Sequence, residues 1–180
     1  MEDELWDYYY DAMELISDGD LPKAEKLLKK ALVLDPSFVA AHVGMVALYQ
    51  AGGYNEGVRE FTESGYEETK KRFKKWPEDM TWGVLENRQF MRAICYKAAL
   101  CHVDGETEEA DKLYRLLLKF TPHDNQGVRY LLAGMYADIS PDEVDDLTDE
   151  GNEKQDWSAL ENMLSKQNAK HHFWKEPKLD

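Results

Sequence analysis

Residues 5–36, LWDYYYDAMELISDGDLPKAEKLLKKALVLDP, and residues 91–122, MRAICYKAALCHVDGETEEADKLYRLLLKFTP, align over 32 positions without a gap. Each carries a small residue early (Ala12, Ala98), a glycine in a short turn (Gly19, Gly105), an alanine five residues later (Ala24, Ala110) and a closing proline (Pro36, Pro122). A pattern used twice in one register is the mark of a chain built from one repeated supersecondary unit. The chemistry of a copy reads as two antiparallel helices. Its glycine ends the first helix by supplying left-handed backbone, and Pro22 occupies the first turn of the second, where no needed donor is lost. The small residues let the two helices approach, while Leu15, Leu27, Leu28 and Ala31 form an apolar stripe at helical spacing. The predicted fold class is all-α.

A looser copy lies between them. VAAHVGMVALYQAGGYNEGVREF gives a helix, a turn at Gly52-Gly53-Tyr54 and a second helix with Gly57 in the place of the alanine and Phe61 further along. Its register from Pro36 and its register from the glycine turn differ by one residue. The second helix is expected to run on through YEETKKRFKKW, and PEDMTWGVLENRQF delays the next copy. After Pro122, Asp124 is a plausible N-cap and 125–136 begin the first helix of a fourth unit. The resulting division is a repeat domain over 1–137 (units near 5–37, 38–76, 91–124 and a partial 125–137), an acidic linker over 138–156, and an amphipathic C-terminal helix and tail over 157–180. Between Asp138 and Asp156 there are nine acidic residues and one lysine, a composition that favours a short helix and a loop. The last helix has Ser158 and Glu161 at capping-box spacing and Trp157, Leu160 and Leu164 on one face. It is expected to fold back as a cap on the terminal repeat; the competing reading is a free amphipathic helix that binds a partner, with His171, His172, Phe173 and Trp174 as a detachable aromatic end.

The positions of these large and small residues, the turn glycine, the alanine and the closing proline resemble those of tetratricopeptide-repeat proteins from residue 5 to about 137. More narrowly, WGVLENRQFMRA and TPHDNQGVRYLL resemble a motif pair of prokaryotic repeat proteins related to the suppression-of-tumorigenicity family. The broad resemblance implies a superhelix of stacked helix pairs whose first helices line a concave groove, binding peptides or helices of other proteins. It implies no catalytic residues.

Composition narrows the function classes independently. A net charge of −14 argues against coating nucleic acid, because phosphate repulsion has to be overcome locally. The run KKRFKK (Lys70–Lys75) is the local exception, and it reads more simply as the cationic end of a helix stopped at Trp76-Pro77. No apolar run is long enough to span a membrane and the acidic start is unlike a secretory signal, so a soluble, cytoplasmic chain without membrane insertion is expected. Cys95 and Cys101, six residues apart, point to different helix faces and read as core thiols. The sequence has no nucleophile elbow, phosphate loop, zinc motif or histidine pair in metal geometry. No catalytic residue, metal or cofactor is therefore assigned.

If binding is the work, the repeat positions facing the groove name its lining. These are Tyr9, Tyr10 and Met13; His42, Val46 and Tyr49; Arg92, Tyr96 and Ala99; and Arg129 and Tyr130. Tyrosines offer rigid contact area with a polar tip, and arginines offer a fork for a carboxylate, so a peptide or helix with an acidic group is the natural ligand. A second account has half of these tyrosines packing between helices. Chaperone-binding members of the resembled family clamp a terminal carboxylate with Lys, Asn, Asn, Lys and Arg; Tyr9 and Met13 stand at the first clamp positions, which disfavours that task. The competing class is a self-associating structural repeat protein or homodimer.

Overall fold

The computed structural model describes residues 2–177; Met1 and residues 178–180, the end of the predicted tail, lie outside the described residues. Nine α-helices and no strand occur among the described residues: α1 (Glu2–Ser17), α2 (Leu21–Leu34), α3 (Val39–Gly52), α4 (Asn55–Arg72), α5 (Leu85–Val103), α6 (Thr107–Phe120), α7 (Val128–Tyr136), α8 (Pro141–Lys154) and α9 (Ser158–His171). The all-α expectation holds.

Four connections close in one way. Gly19, Gly53, Gly105 and Asp138 have φ of 80°, 71°, 77° and 57°. Each donates its N–H to the carbonyl three residues back, and the next residue donates to the carbonyl five back. The pairs are Gly19 to Ile16 with Asp20 to Leu15, Gly53 to Gln50 with Tyr54 to Tyr49, Gly105 to His102 with Glu106 to Cys101, and Asp138 to Met135 with Ile139 to Gly134, at 2.8–3.3 Å. This is the Schellman closure, which satisfies the last carbonyls of a helix and needs a left-handed residue. Glycine meets that need without strain three times, and Asp138 meets it with a short polar side chain. Past the closing proline the match continues: Asp35 to Ala31, Phe38 to Asp35 and Ala41 to Phe38 reappear as Thr121 to Leu117, Asp124 to Thr121 and Gly127 to Asp124.

The same hydrogen bonds correct the register of the second copy. Gly53 takes the left-handed place, and Val58, bonded to the Tyr54 carbonyl as Ala24 is to Asp20, takes the place assigned to Gly57. Gly57 has its own reason: a Cβ there would lie 2.5 Å from the Tyr49 ring. Helix α4 also stops earlier than expected, at Arg72, with Phe73 extended. Lys70 and Lys71 pair with Glu67 and Glu68 one turn before, each at 2.6 Å.

The stretch expected as an acidic linker is mostly the helix α8. Ser140 accepts the Glu143 N–H at 3.3 Å while the Glu143 carboxylate accepts the Ser140 N–H at 2.9 Å, a capping box preceding Pro141. Pro141, Val144 and Gly151 are its buried anchors. The capping box expected at Ser158 and Glu161 is not formed; the Ser158 N–H donates instead to Asp156 at 3.0 Å. Leu160 and Leu164 are buried as expected, whereas Trp157 is 40% exposed.

The helices belong to two compact bodies. An N-terminal body comprises residues 1–77 with 83–96, and a C-terminal body residues 78–82 with 97–180. In the first, α1 packs on α2 and α3, α2 on α3, and α3 on α4. Ala12, Ala24 and Ala31 are wholly buried in its core with Leu28 and Met45. In the second, α6 packs on α7, α7 on α8 and α9, and α8 on α9. Gly134 sets the α7–α8 approach, since a Cβ there would come within 2.5 Å of Val144.

Candidate binding cleft

The N-terminal body contains a cleft of about 590 Å³. Its walls come from four places: Leu5 and Trp6 on α1, Leu34 to Ala40 around the α2–α3 corner, Glu68, Lys71 and Arg72 at the end of α4, and Glu86, Gln89 and Phe90 on α5. The corner is pinned by Asp35, whose carboxylate accepts the Ser37 N–H at 2.9 Å and its hydroxyl at 2.7 Å. That presents Phe38 edge-on to Trp6, with ring centroids 5.2 Å apart. Trp6 in turn stacks on Tyr10 at 5.7 Å, and Phe90 stands edge-on to Phe73 at 5.0 Å. These rings restrain one another, which lowers the entropy that a ligand would otherwise have to offset.

The rim is dipolar. Lys71 is held by Glu68, and this hydrogen bond is the main reason its ammonium titrates above the ordinary lysine range. Asp35 is occupied by Ser37. Arg72, the last residue of α4, has no ion pair with a carboxylate among the described residues. The cleft thus offers apolar walls, one fork-shaped cation and the carboxylate of Glu86, an arrangement that can seat a side chain and orient a backbone.

The expected groove residues fall in several settings. Tyr9 is 2% exposed; its hydroxyl donates to Gln89 at 3.3 Å and accepts from Arg92 at 3.2 Å, so it buttresses the cleft from behind. Tyr10 is 47% exposed and backs Trp6. Met13 packs on the core, and half-buried Tyr96 packs on Val39, Val43 and Ala93. Val46 is buried and Ala99 half-buried. His42 is 7% exposed: its Nε2 donates to the Pro36 carbonyl, which can only accept, and its Nδ1 meets the Ser64 hydroxyl, both at 2.9 Å. Tyr49 stacks on Phe61 at 5.7 Å and donates to Glu25 at 3.1 Å, and burial foremost raises its phenol above the usual range. Tyr9, Tyr10 and Arg92 are thus brought together beside the cleft, while His42 and Tyr49 are committed to packing.

In the C-terminal body, Arg129 and Tyr130 serve a different network. Asp124 is buried and accepts the Val128 N–H at 2.7 Å, the Arg129 N–H at 3.0 Å and the Arg129 guanidinium at 3.0 Å. Burial raises its carboxyl above the ordinary range, and these donors oppose the shift. The N-cap position of α7 is thus Gly127 and not the expected Asp124, whose carboxylate instead reaches the first N–H groups of the helix from three residues before, and the helix begins three residues later than the expected start. Arg129 also donates to the Tyr130 hydroxyl at 2.8 Å, and Tyr130 donates to Glu161 on α9.

The sequence reasoning missed Trp6, Phe38, Phe90 and Arg72 as a group. Phe38 follows the closing proline and Arg72 belongs to the basic run, but nothing in linear spacing says that they share a cleft. Among the described residues, no group of three His, Cys, Asp or Glu is placed to hold a metal, and no helix is long and apolar enough to cross a membrane. No family model, curated protein or solved structure matches the chain.

Proposed function

We propose that this chain is a non-enzymatic adaptor of tetratricopeptide-repeat type that binds a segment of another protein in the cleft walled by Trp6, Phe38 and Phe90. The observation that carries the proposal is that cleft: three large rings beside a cation with no carboxylate partner among the described residues. A ligand of matching chemistry is a peptide or helix with one or two large apolar side chains next to a carboxylate, the side chains filling the cleft and the carboxylate meeting the fork of Arg72. The four Schellman turns and the packing of α1 to α4 and of α6 to α9 on one another support the repeat reading, in which helix pairs stack and α9 caps the last of them. The absence of an assigned nucleophile, base or metal in the sequence favours binding over catalysis, and the acidic composition favours a cytoplasmic protein partner over nucleic acid.

The test is selection of peptides from a displayed random library against the full chain, followed by affinity measurements on Trp6→Ala and Arg72→Glu. Each substitution is expected to weaken a selected peptide about ten-fold or more while leaving the helical circular-dichroism signal intact. Unchanged affinity in both overturns the cleft. Self-association, the alternative, predicts sedimentation that rises with concentration and is shifted by the same substitutions.

A further inference from the structure

The C-terminal body holds the residues after α9 as a bound segment, with Phe173 and Trp174 at its centre. Helix α9 ends at His171, and His172, with φ of 48°, turns the chain back. One side chain then clamps the backbone that follows: Asn168 Oδ1 accepts the N–H of Phe173 at 3.0 Å and of Trp174 at 2.9 Å, while its Nδ2 donates to the Trp174 carbonyl at 2.8 Å. The side chains are taken up by α7 and the loop before it. Phe173 is buried against Tyr136, with centroids 5.6 Å apart. The His171 ring stacks on Tyr136, with centroids 3.8 Å and planes 7° apart. Trp174 lies over the Arg129 guanidinium at 5.1 Å and donates its indole N–H to the Pro122 carbonyl at 3.2 Å.

The receiving surface is a built one. Tyr136 is fixed by a hydrogen bond to Asp111 and by Arg115, which donates to its hydroxyl at 2.8 Å and grips Asp111 at 2.9 Å. Arg129 is fixed by Asp124. The segment, by contrast, has no helix or strand ladder of its own, and its Lys175 and Glu176 are exposed. Rigid aromatic and guanidinium groups on one side, and a short extended segment with two aromatic anchors and a side-chain backbone clamp on the other, are the two halves of linear-segment recognition.

We propose that residues 172–177 are a releasable strap occupying a second recognition site, formed by Arg129, Tyr136 and the Pro122 carbonyl, for an extended partner segment carrying adjacent aromatic side chains. The strap is an intrachain competitor. A partner segment gains access when the strap leaves, and its apparent affinity falls by the fraction of time that the strap is docked. This site is separate from the cleft of the N-terminal body, and neither proposal depends on the other.

The test uses the full chain and a fluorescein-labelled, end-blocked peptide HHFWKEP, identical to residues 171–177, followed by anisotropy. The peptide is expected to bind the Phe173→Ala/Trp174→Ala chain at least ten-fold more tightly than the wild type, whose site is filled. Adding Arg129→Ala to the double variant is expected to remove most of that gain, and adding Trp6→Ala to leave it unchanged. Equal binding to wild type and double variant, or none to either with melting still cooperative, overturns the proposal. Should the double variant fail to fold, hydrogen exchange on the wild type decides. The Phe173 and Trp174 N–H groups are expected to exchange at least ten-fold faster than that of Leu164, and equal protection overturns a releasable strap.

Discussion

The two bodies use aromatic residues in opposite ways. In the N-terminal body Trp6 braces Phe38 and Phe73 braces Phe90 around an open cleft. In the C-terminal body Tyr136 and the cation Arg129 meet Phe173 and Trp174 of the same chain, so the apolar faces are covered from within. The difference does not lie in residue type, because both bodies rest on closely similar helix turns. It lies in whether the chain supplies a covering segment: after Pro77 the N-terminal body receives only residues 83–96, whereas the C-terminal body includes α9 and its strap. An aromatic cluster left open is available to another molecule; one closed by its own tail is a stabilising contact first and a recognition site second.

The largest effects test whether α9 belongs to the fold as fully as α2 does. Leu28 and Leu160 are both wholly buried, and Leu28→Ala and Leu160→Ala are each expected to cost about 2–5 kcal/mol in denaturant unfolding. A Leu160→Ala chain as stable as the wild type would break the comparison, since α9 would then not cover α7 and α8 in solution.

Smaller effects come from the turns. Gly105→Ala places a side chain at φ of 77° and is expected to destabilise by about 1–2 kcal/mol. Asp138→Gly relieves a left-handed aspartate and is expected to stabilise by up to about 1 kcal/mol, the gain being reduced by the unfolded-state freedom of glycine. Thermal melts of the two variants shifting in the same direction would show that the turns are not equivalent.

The smallest effect is a pH dependence. Burial, foremost, and hydrogen bonding with Glu106 push the Cys101 thiol up from 9.0 to about 11. A folded state that holds this proton longer than the unfolded state is stabilised at lower pH, and the advantage is lost as pH rises from about 9 towards 11. Against Cys101→Ala, the wild type is therefore expected to lose about 1 kcal/mol or less of relative stability by about pH 9.5. A constant difference across that range would contradict the assigned environment.

Much of the fold was legible because helix pairs announce themselves through small residues, turn glycines and apolar spacing. Ala12, Ala24, Ala98 and Ala110 are all wholly buried, as the repeat required. Helix α8 was obscured because its acidic residues outnumber its few anchors, although the Ser140–Glu143 capping box was present in the sequence. The fourth turn was hidden because aspartate stands where glycine had been the signal. Of the candidate groove residues, Tyr9, Tyr10 and Arg92 lie beside the cleft but His42 does not, because a helix position names a face and not the loop that covers it. The cleft itself joins the α2–α3 corner to the ends of α4 and α5, and such juxtaposition of distant segments has no linear signature.

The most direct test of an open cleft in the N-terminal body and a self-covered surface in the C-terminal body is a ¹H–¹⁵N titration of the full chain with a library-selected peptide. The account predicts shifts concentrated at Trp6, Phe38, Arg72, Gln89 and Phe90, with Arg129, Tyr136 and Trp174 unmoved. Shifts confined to Arg129, Tyr136 and Trp174 with the cleft residues silent would contradict it.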